Sequence, residues 1–156
     1  MATHNETRRR LLSALALAPL GALRPTSAAA QARADAPIRQ PPEPTRAAFF
    51  AHARALRDQA VREGDQSYGA VVVRNGVIVG EGRNYVVLHS DPTAHTELLA
   101  VRDAARRLAT RDLSDCDVYS TAIPCPMCQG ALYWARVRRV FTDGAAEQGM
   151  VPKLAC

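Results

Sequence analysis

"YGAVVVRNGVIVGEGRN", Tyr68 to Asn84, consists of two β-rich runs joined across Asn75-Gly76. Asn-Gly between such runs is the strongest short-range hairpin signal, because both central residues of the tight turn need positive φ. The neighbouring segments must then pack on this hairpin. Upstream, Thr45 to Glu63 reads as a helix: Thr45 can cap it, Phe49, Ala53, Leu56 and Ala60 recur at helical spacing, and Gly64 ends it. Downstream, Ala94 to Leu108 is a second helix with Leu98, Val101, Ala105 and Leu108 on one face. Its arginines (Arg102, Arg106, Arg107) form a solvated face. Asp117 to Thr121 is a short strand. "PMCQGALYWAR", Pro126 to Arg136, is a third helix with proline allowed in its first turn, and Val137 to Thr142 is a last strand. This order predicts a layered α/β sandwich around a mixed sheet.

A chain of 156 residues with 47% apolar and 22% charged residues can bury a core as one domain without staples. The formal charge of +5 is concentrated at the start. Residues 1–32 carry Arg8, Arg9, Arg10 and Arg24 against Glu6, a net of +3. Residues 33–156 retain only +2, from 16 basic and 14 acidic side chains, which argues against a nucleic-acid partner.

Residues 1–32 read as an export signal. "TRRRLLSALALAPLGALRPTSAAAQA" has a basic start, an apolar stretch from Leu11 to Leu23, and small residues suited to cleavage near Ala30-Gln31-Ala32. Pro19 and Gly21 weaken the stretch, which is too short to span a bilayer comfortably. Thr7-Arg8-Arg9-Arg10-Leu11-Leu12 resembles a twin-arginine signal, and places the mature protein in the periplasm or outside the cell. A basic, Ala-rich tail without a targeting role would instead leave it in the cytoplasm. Residues 33–44, "RADAPIRQPPEP", contain four prolines and no apolar periodicity, which predicts a semi-extended linker outside the core, with the folded domain over 45–156.

Two motifs carry chemistry. His95-Thr96-Glu97 opens the second helix, and Pro124 to Cys128, "PCPMC", opens the third. Helix starts at the ends of strands converge on one crevice of an open α/β sheet. His95, Cys125 and Cys128 make a three-ligand zinc set with a fourth position for water, the pattern of a catalytic zinc site. A helix start favours thiolate. Glu97, two residues past the histidine, is placed to take a proton rather than to ligate. A redox pair or half of a structural zinc site would explain Cys-x-x-C alone, but not the upstream His-x-Glu. His-x-Glu followed by Pro-Cys-x-x-Cys is a known signature of zinc deaminases.

"DPTAHTELLAVRDAAR" and "PCPMCQGALYWAR" resemble the cytidine deaminase-like superfamily, in the branch of guanine, cytosine and tRNA adenosine deaminases. The resemblance runs from about Thr45 to Thr142, and "DPTAH" and "YWAR" are most similar to bacterial guanine deaminases. It implies a three-layer α-β-α sandwich, Zn2+ on His95, Cys125 and Cys128, and Glu97 as the proton shuttle. It also implies that Asn84 hydrogen-bonds the base, that Tyr68 sets an aromatic ring against it, and that Trp134 lines the pocket. From the residues alone, Asn84 reads as a turn residue, and Tyr68 and Trp134 as packing residues. Thr96 replaces the usual Ala or Val, and Ile123 stands where many relatives have Glu. Guanine deaminases also have, past this point, an acidic residue that recognises the base and a segment that covers the pocket.

Three readings follow. The first is hydrolytic deamination of a nucleobase or nucleoside, guanine-like or cytosine-like. The second is adenosine-to-inosine deamination of tRNA, and the third is an exported zinc protein without turnover. The partner expected is a small-molecule substrate, with a homodimer implied by the resemblance. Zinc loaded before export would mask Cys125 and Cys128, whereas Cys116 and Cys156 are either buried free thiols or a pair formed after export.

Overall fold

Asn75 and Gly76 both have positive φ, 51° and 80°, so the hairpin closes as its sequence requires. It joins β1 (Gly69–Arg74) to β2 (Val77–Arg83), antiparallel, with Arg74 opposite Val77 and Gly69 opposite Arg83. A computed structural model describes residues 36–144 and 149–153, all within the unit Ala34–Cys156. The export-signal reading of residues 1–32 therefore lies outside the described residues, as does Cys156.

The remaining elements are α1 (Arg46–Arg62), α2 (Thr96–Arg107), β3 (Cys116–Ser120), α3 (Pro126–Trp134) and β4 (Arg139–Thr142). Thr45 caps α1, its Oγ1 accepting from the Ala48 N–H at 3.2 Å. The sheet order is β2-β1-β3-β4. β3 runs antiparallel to β1, and β4 runs parallel to β3 after the crossover through α3, so the sheet is mixed.

Alternation along the strands divides the core into two layers. Ala70 and Val72 of β1, with Cys116 and Val118 of β3, pack against Ala100, Val101 and Ala104 of α2 and Leu132 of α3. Val71 and Val73 turn to the other face, with Ile78, Tyr119 and Phe141, and meet Phe49 of α1. One helix covers one face and two cover the other, giving the three-layer sandwich. α2 lies directly on β2 because Gly80 and Gly82 have no side chains. A Cβ on Gly82 would stand 2.2 Å from the Thr96 carbonyl oxygen. Thr96 Oγ1 donates to the Gly82 carbonyl at 2.5 Å and fixes the start of α2 at this point.

Residues 36–44 form no helix or strand and bend at Ala36, Pro42 and Glu43, but they do not stand apart from the domain. Ile38 packs against the α1-side core. The Gln40 side chain pairs with both backbone groups of Ile78: Oε1 accepts its N–H at 2.8 Å, and Nε2 donates to its carbonyl at 2.9 Å. Arg107 Nη1 donates to the Ala36 carbonyl at 2.8 Å. The segment is docked because one polar side chain meets the unpaired side of β2, which composition alone does not reveal.

Candidate metal centre

His95 is the N-cap of α2 and Cys125 the N-cap of α3, and neither side chain makes a capping hydrogen bond. Ser, Thr, Asp or Asn at these positions would each contribute about 1 kcal/mol. Both helices give up that stabilisation, which frees an imidazole and a thiol for other bonds. The turn before His95 is set by Asp91, whose Oδ1 accepts from the Thr93 N–H at 2.8 Å and Oγ1 at 2.7 Å. The Tyr85 N–H donates to the Ala94 carbonyl at 3.1 Å and joins the end of β2 to the start of α2.

His95, Cys125 and Cys128 offer ligand atoms that all lie within 4.8 Å of one another. His95 Nδ1 and Cys125 Sγ are 3.6 Å apart. Tetrahedral zinc with its usual bond lengths separates such donors by about 3.5–3.8 Å, a spacing the His95–Cys125 pair already has, and the donor set of one imidazole and two thiols suits the ion. Cys128 is fully buried. Burial first, then the charges of Glu97 and Cys125, push its thiol well above the ordinary range. A buried thiol beside an acid and a second thiol is a poor anion by itself, and a divalent cation supplies the missing charge.

Glu97 is 4% exposed and stays outside the donor set, as its spacing predicts. Ser120, fully buried at the end of β3, donates its hydroxyl to Glu97 Oε1 at 2.6 Å. The Ala122 N–H donates to the same Ser120 Oγ at 3.3 Å, which directs the hydroxyl proton at the carboxylate. Sequence reasoning missed Ser120. The available signal was period two in β3, where Cys116, Val118 and Ser120 share the inward face and only the last is a hydroxyl.

The other named residues are not all brought to this centre. Asn84, 1% exposed, follows β2, and its N–H donates to the Tyr68 carbonyl at 3.3 Å. Gly69 and Thr121 exchange backbone and side-chain hydrogen bonds at 3.0 Å, so Tyr68, Asn84 and Thr121 share one end of the sheet with the start of α2. The Tyr68 side chain is exposed there. Trp134 lies elsewhere. It ends α3, about 13 Å along the helix from Cys125. Its ring is 74% exposed and meets Tyr133 edge-on at 5.5 Å. It lines a cleft of about 650 Å³ with Arg111, Asp112, Tyr133 and Arg136, away from the metal ligands. Cys116 is a free thiol, fully buried in the α2-side core. Burial and its hydrogen bond to Asp115 raise its pKa to about 12, so it is inert.

Residues 44–143 match the family model of the cytidine and deoxycytidylate deaminase zinc-binding region. The guanine deaminase of Bacillus subtilis (strain 168) is 45% identical over 107 residues, covering 65% of this chain and 68% of that protein. A tRNA-specific adenosine deaminase of Aquifex aeolicus (strain VF5) is 42% identical over 89 residues, covering 56% of this chain and 59% of that protein. The chain thus spans a little over half to about two thirds of these relatives. The crystal structure of the Bacillus subtilis guanine deaminase superposes with a TM-score of 0.58 at 44% identity, covering 60% of each chain. The chain belongs to this family of zinc-dependent deaminases, hydrolases that act on carbon–nitrogen bonds, and its cofactor is Zn2+.

Proposed function

We propose that the protein hydrolyses the exocyclic amine of a free, guanine-like base and releases ammonia. The observation that carries this reading is a buried, hydrogen-bonded Glu97 beside the His95, Cys125 and Cys128 donor set. The 45% identity to a guanine deaminase supports the choice of base. The 14 acidic side chains that nearly balance 16 basic ones over residues 33–156 support a small substrate over a polyanion.

Zinc held by His95, Cys125 and Cys128 would supply Lewis-acid chemistry, lowering the pKa of a water to about 7. Glu97 Oε1 is held by Ser120, which leaves Oε2 to take a proton from the attacking water. Glu97 delivers that proton to a ring nitrogen, and the amine-bearing carbon becomes electrophilic. A second proton passes through the same oxygen to the departing amine, so the base gains an oxo group and loses ammonia. Asn84 and Tyr68, at the same end of the sheet, hold the base against this carboxylate.

Adenosine deamination in tRNA is the second reading, favoured by the 42% identity to a tRNA-specific enzyme. Two further proposals concern the protein's setting. Residues 1–32 direct it through a twin-arginine route, tested by fractionating cells that express the full chain. A homodimer covers the apolar residues exposed along and just before α3, Ile123, Met127, Tyr133 and Trp134, tested by light scattering of the zinc-loaded protein.

The deciding experiment is ammonia release by the zinc-loaded protein from guanine, cytosine, adenine, their nucleosides and a tRNA anticodon stem-loop. Release from guanine alone supports the proposal. Release from the stem-loop, with binding that weakens steeply as salt rises, would replace it with the second reading.

A further inference from the structure

Asp65 lies just beyond α1, outside every motif identified above, and is buried. Its carboxylate accepts four hydrogen bonds. Oδ1 takes the Gln66 N–H at 2.7 Å and Asn84 Nδ2 at 3.0 Å, and Oδ2 takes the N–H groups of Val87 at 3.1 Å and Leu88 at 2.9 Å. Gln66 Oε1 also accepts from Asn84 Nδ2 at 3.0 Å. Both amide hydrogens of Asn84 are therefore spent inside the protein, and neither bond uses its carbonyl Oδ1.

An amide side chain is ambiguous until its neighbours fix which end is which. Here the neighbour is an ionised carboxylate, which accepts only. Burial would raise its pKa, but the hydrogen bonds from Leu88, Gln66, Asn84 and Val87 outweigh that and hold it below the ordinary aspartate range. A flipped Asn84 would set its carbonyl oxygen against that charge and forfeit a charge-assisted bond.

We propose that Asp65 is a positioning residue that locks Asn84 as a hydrogen-bond acceptor, so that the site selects heterocycles presenting an N–H to Asn84 Oδ1. The proposal rests on the reading of Asn84 as the residue that contacts the base. An acceptor fixed in a buried site rejects a ligand that lacks the matching donor, because the oxygen is then left desolvated and unpaired. The same carboxylate anchors residues 87 and 88, between Asn84 and His95, so base contact and metal ligand are set from one point.

The test has two arms. In the first, side-chain amide exchange is followed by NMR on the ligand-free, zinc-loaded full chain. The Asn84 hydrogens should exchange at least about tenfold more slowly than those of exposed Asn75, and Asp65→Asn should remove the difference. Equal exchange in the wild type would overturn the lock whatever the substrate is. In the second arm, kcat/KM is compared for guanine and its 1-, 7- and 9-methyl derivatives. The wild type should reject at least one methyl derivative by about a hundredfold or more. Asp65→Asn should shrink that ratio at least about tenfold, acting on KM more than kcat, and Asp65→Glu should restore part of it. A uniform slowing with the ratio unchanged would mean a merely structural Asp65 and would sink the proposal. If no guanine is turned over, the functional reading fails separately, and the exchange arm still decides the lock. Should Asp65→Asn not fold, Gln66→Ala should speed exchange of an Asn84 amide hydrogen; no change there would count against the lock.

Discussion

Removing the Ser120 hydroxyl tests whether Glu97 is poised or merely present. Ser120→Ala deletes a 2.6 Å hydrogen bond to a buried carboxylate and leaves the Ala122 N–H without that acceptor. A hydrogen bond to a charged group contributes about 1.5–3 kcal/mol. If the bond holds Glu97 in its reactive geometry, that energy appears in the barrier, where about 1.4 kcal/mol is a factor of ten. The variant should lose about 10- to 100-fold in kcat while KM changes less than about twofold, because Ser120 is not proposed to touch the base. Steady-state ammonia release and bound-zinc content, measured on the same preparation, separate the possibilities. Ser120→Thr keeps the hydroxyl and should recover most of the rate. A variant with unchanged kcat, or one whose loss tracks missing zinc, would refute the role given to Ser120.

Other outcomes follow from the same geometry. Glu97→Gln should retain zinc and lose at least about a thousandfold in kcat, since no group replaces the proton carrier. Gly82→Ala puts a methyl 2.2 Å from a backbone oxygen and should cost about 3 kcal/mol or more, read as a fall in Tm of about 10 °C or more. In a Cys156→Ser background, thiol reagents should find no fast-reacting group in the zinc-loaded protein. Two thiols, Cys125 and Cys128, should react after chelation, and Cys116 only on unfolding. Because the folded-state pKa of Asp65 is lowered, its stabilisation is full above the ordinary value of 3.8 and is lost as pH falls below it. Acid unfolding of Asp65→Asn should therefore show a shallower pH dependence over that window.

What could be read from the sequence was what depends on neighbours along the chain. Asn75-Gly76 declares its turn because both residues carry the required φ themselves. His95, Glu97, Cys125 and Cys128 were legible because each sits at a helix start, and helix starts at strand ends converge in this kind of sheet. Contacts between segments far apart in sequence were not. Asp65 reaches Asn84 and Leu88 across 19 and 23 residues, and Gln40 reaches Ile78 across 38, with nothing local to announce either. Trp134 shows how far a motif extends in space: the nine-residue helix that Cys125 caps carries it to the opposite end.

The pairing of Gln40 with Ile78 has a consequence for the protein's solubility. β2 is the outer strand at its end of the sheet, and its outward N–H and C=O groups could accept a strand from another molecule. At Ile78 the Gln40 amide takes the place such a strand would occupy, and the Asp103 carboxylate accepts from the Glu81 N–H two ladder positions further on. A protein trimmed anywhere before Gln40 keeps this edge closed. One trimmed past it opens a sticky border beside exposed Val77, and self-association should begin there.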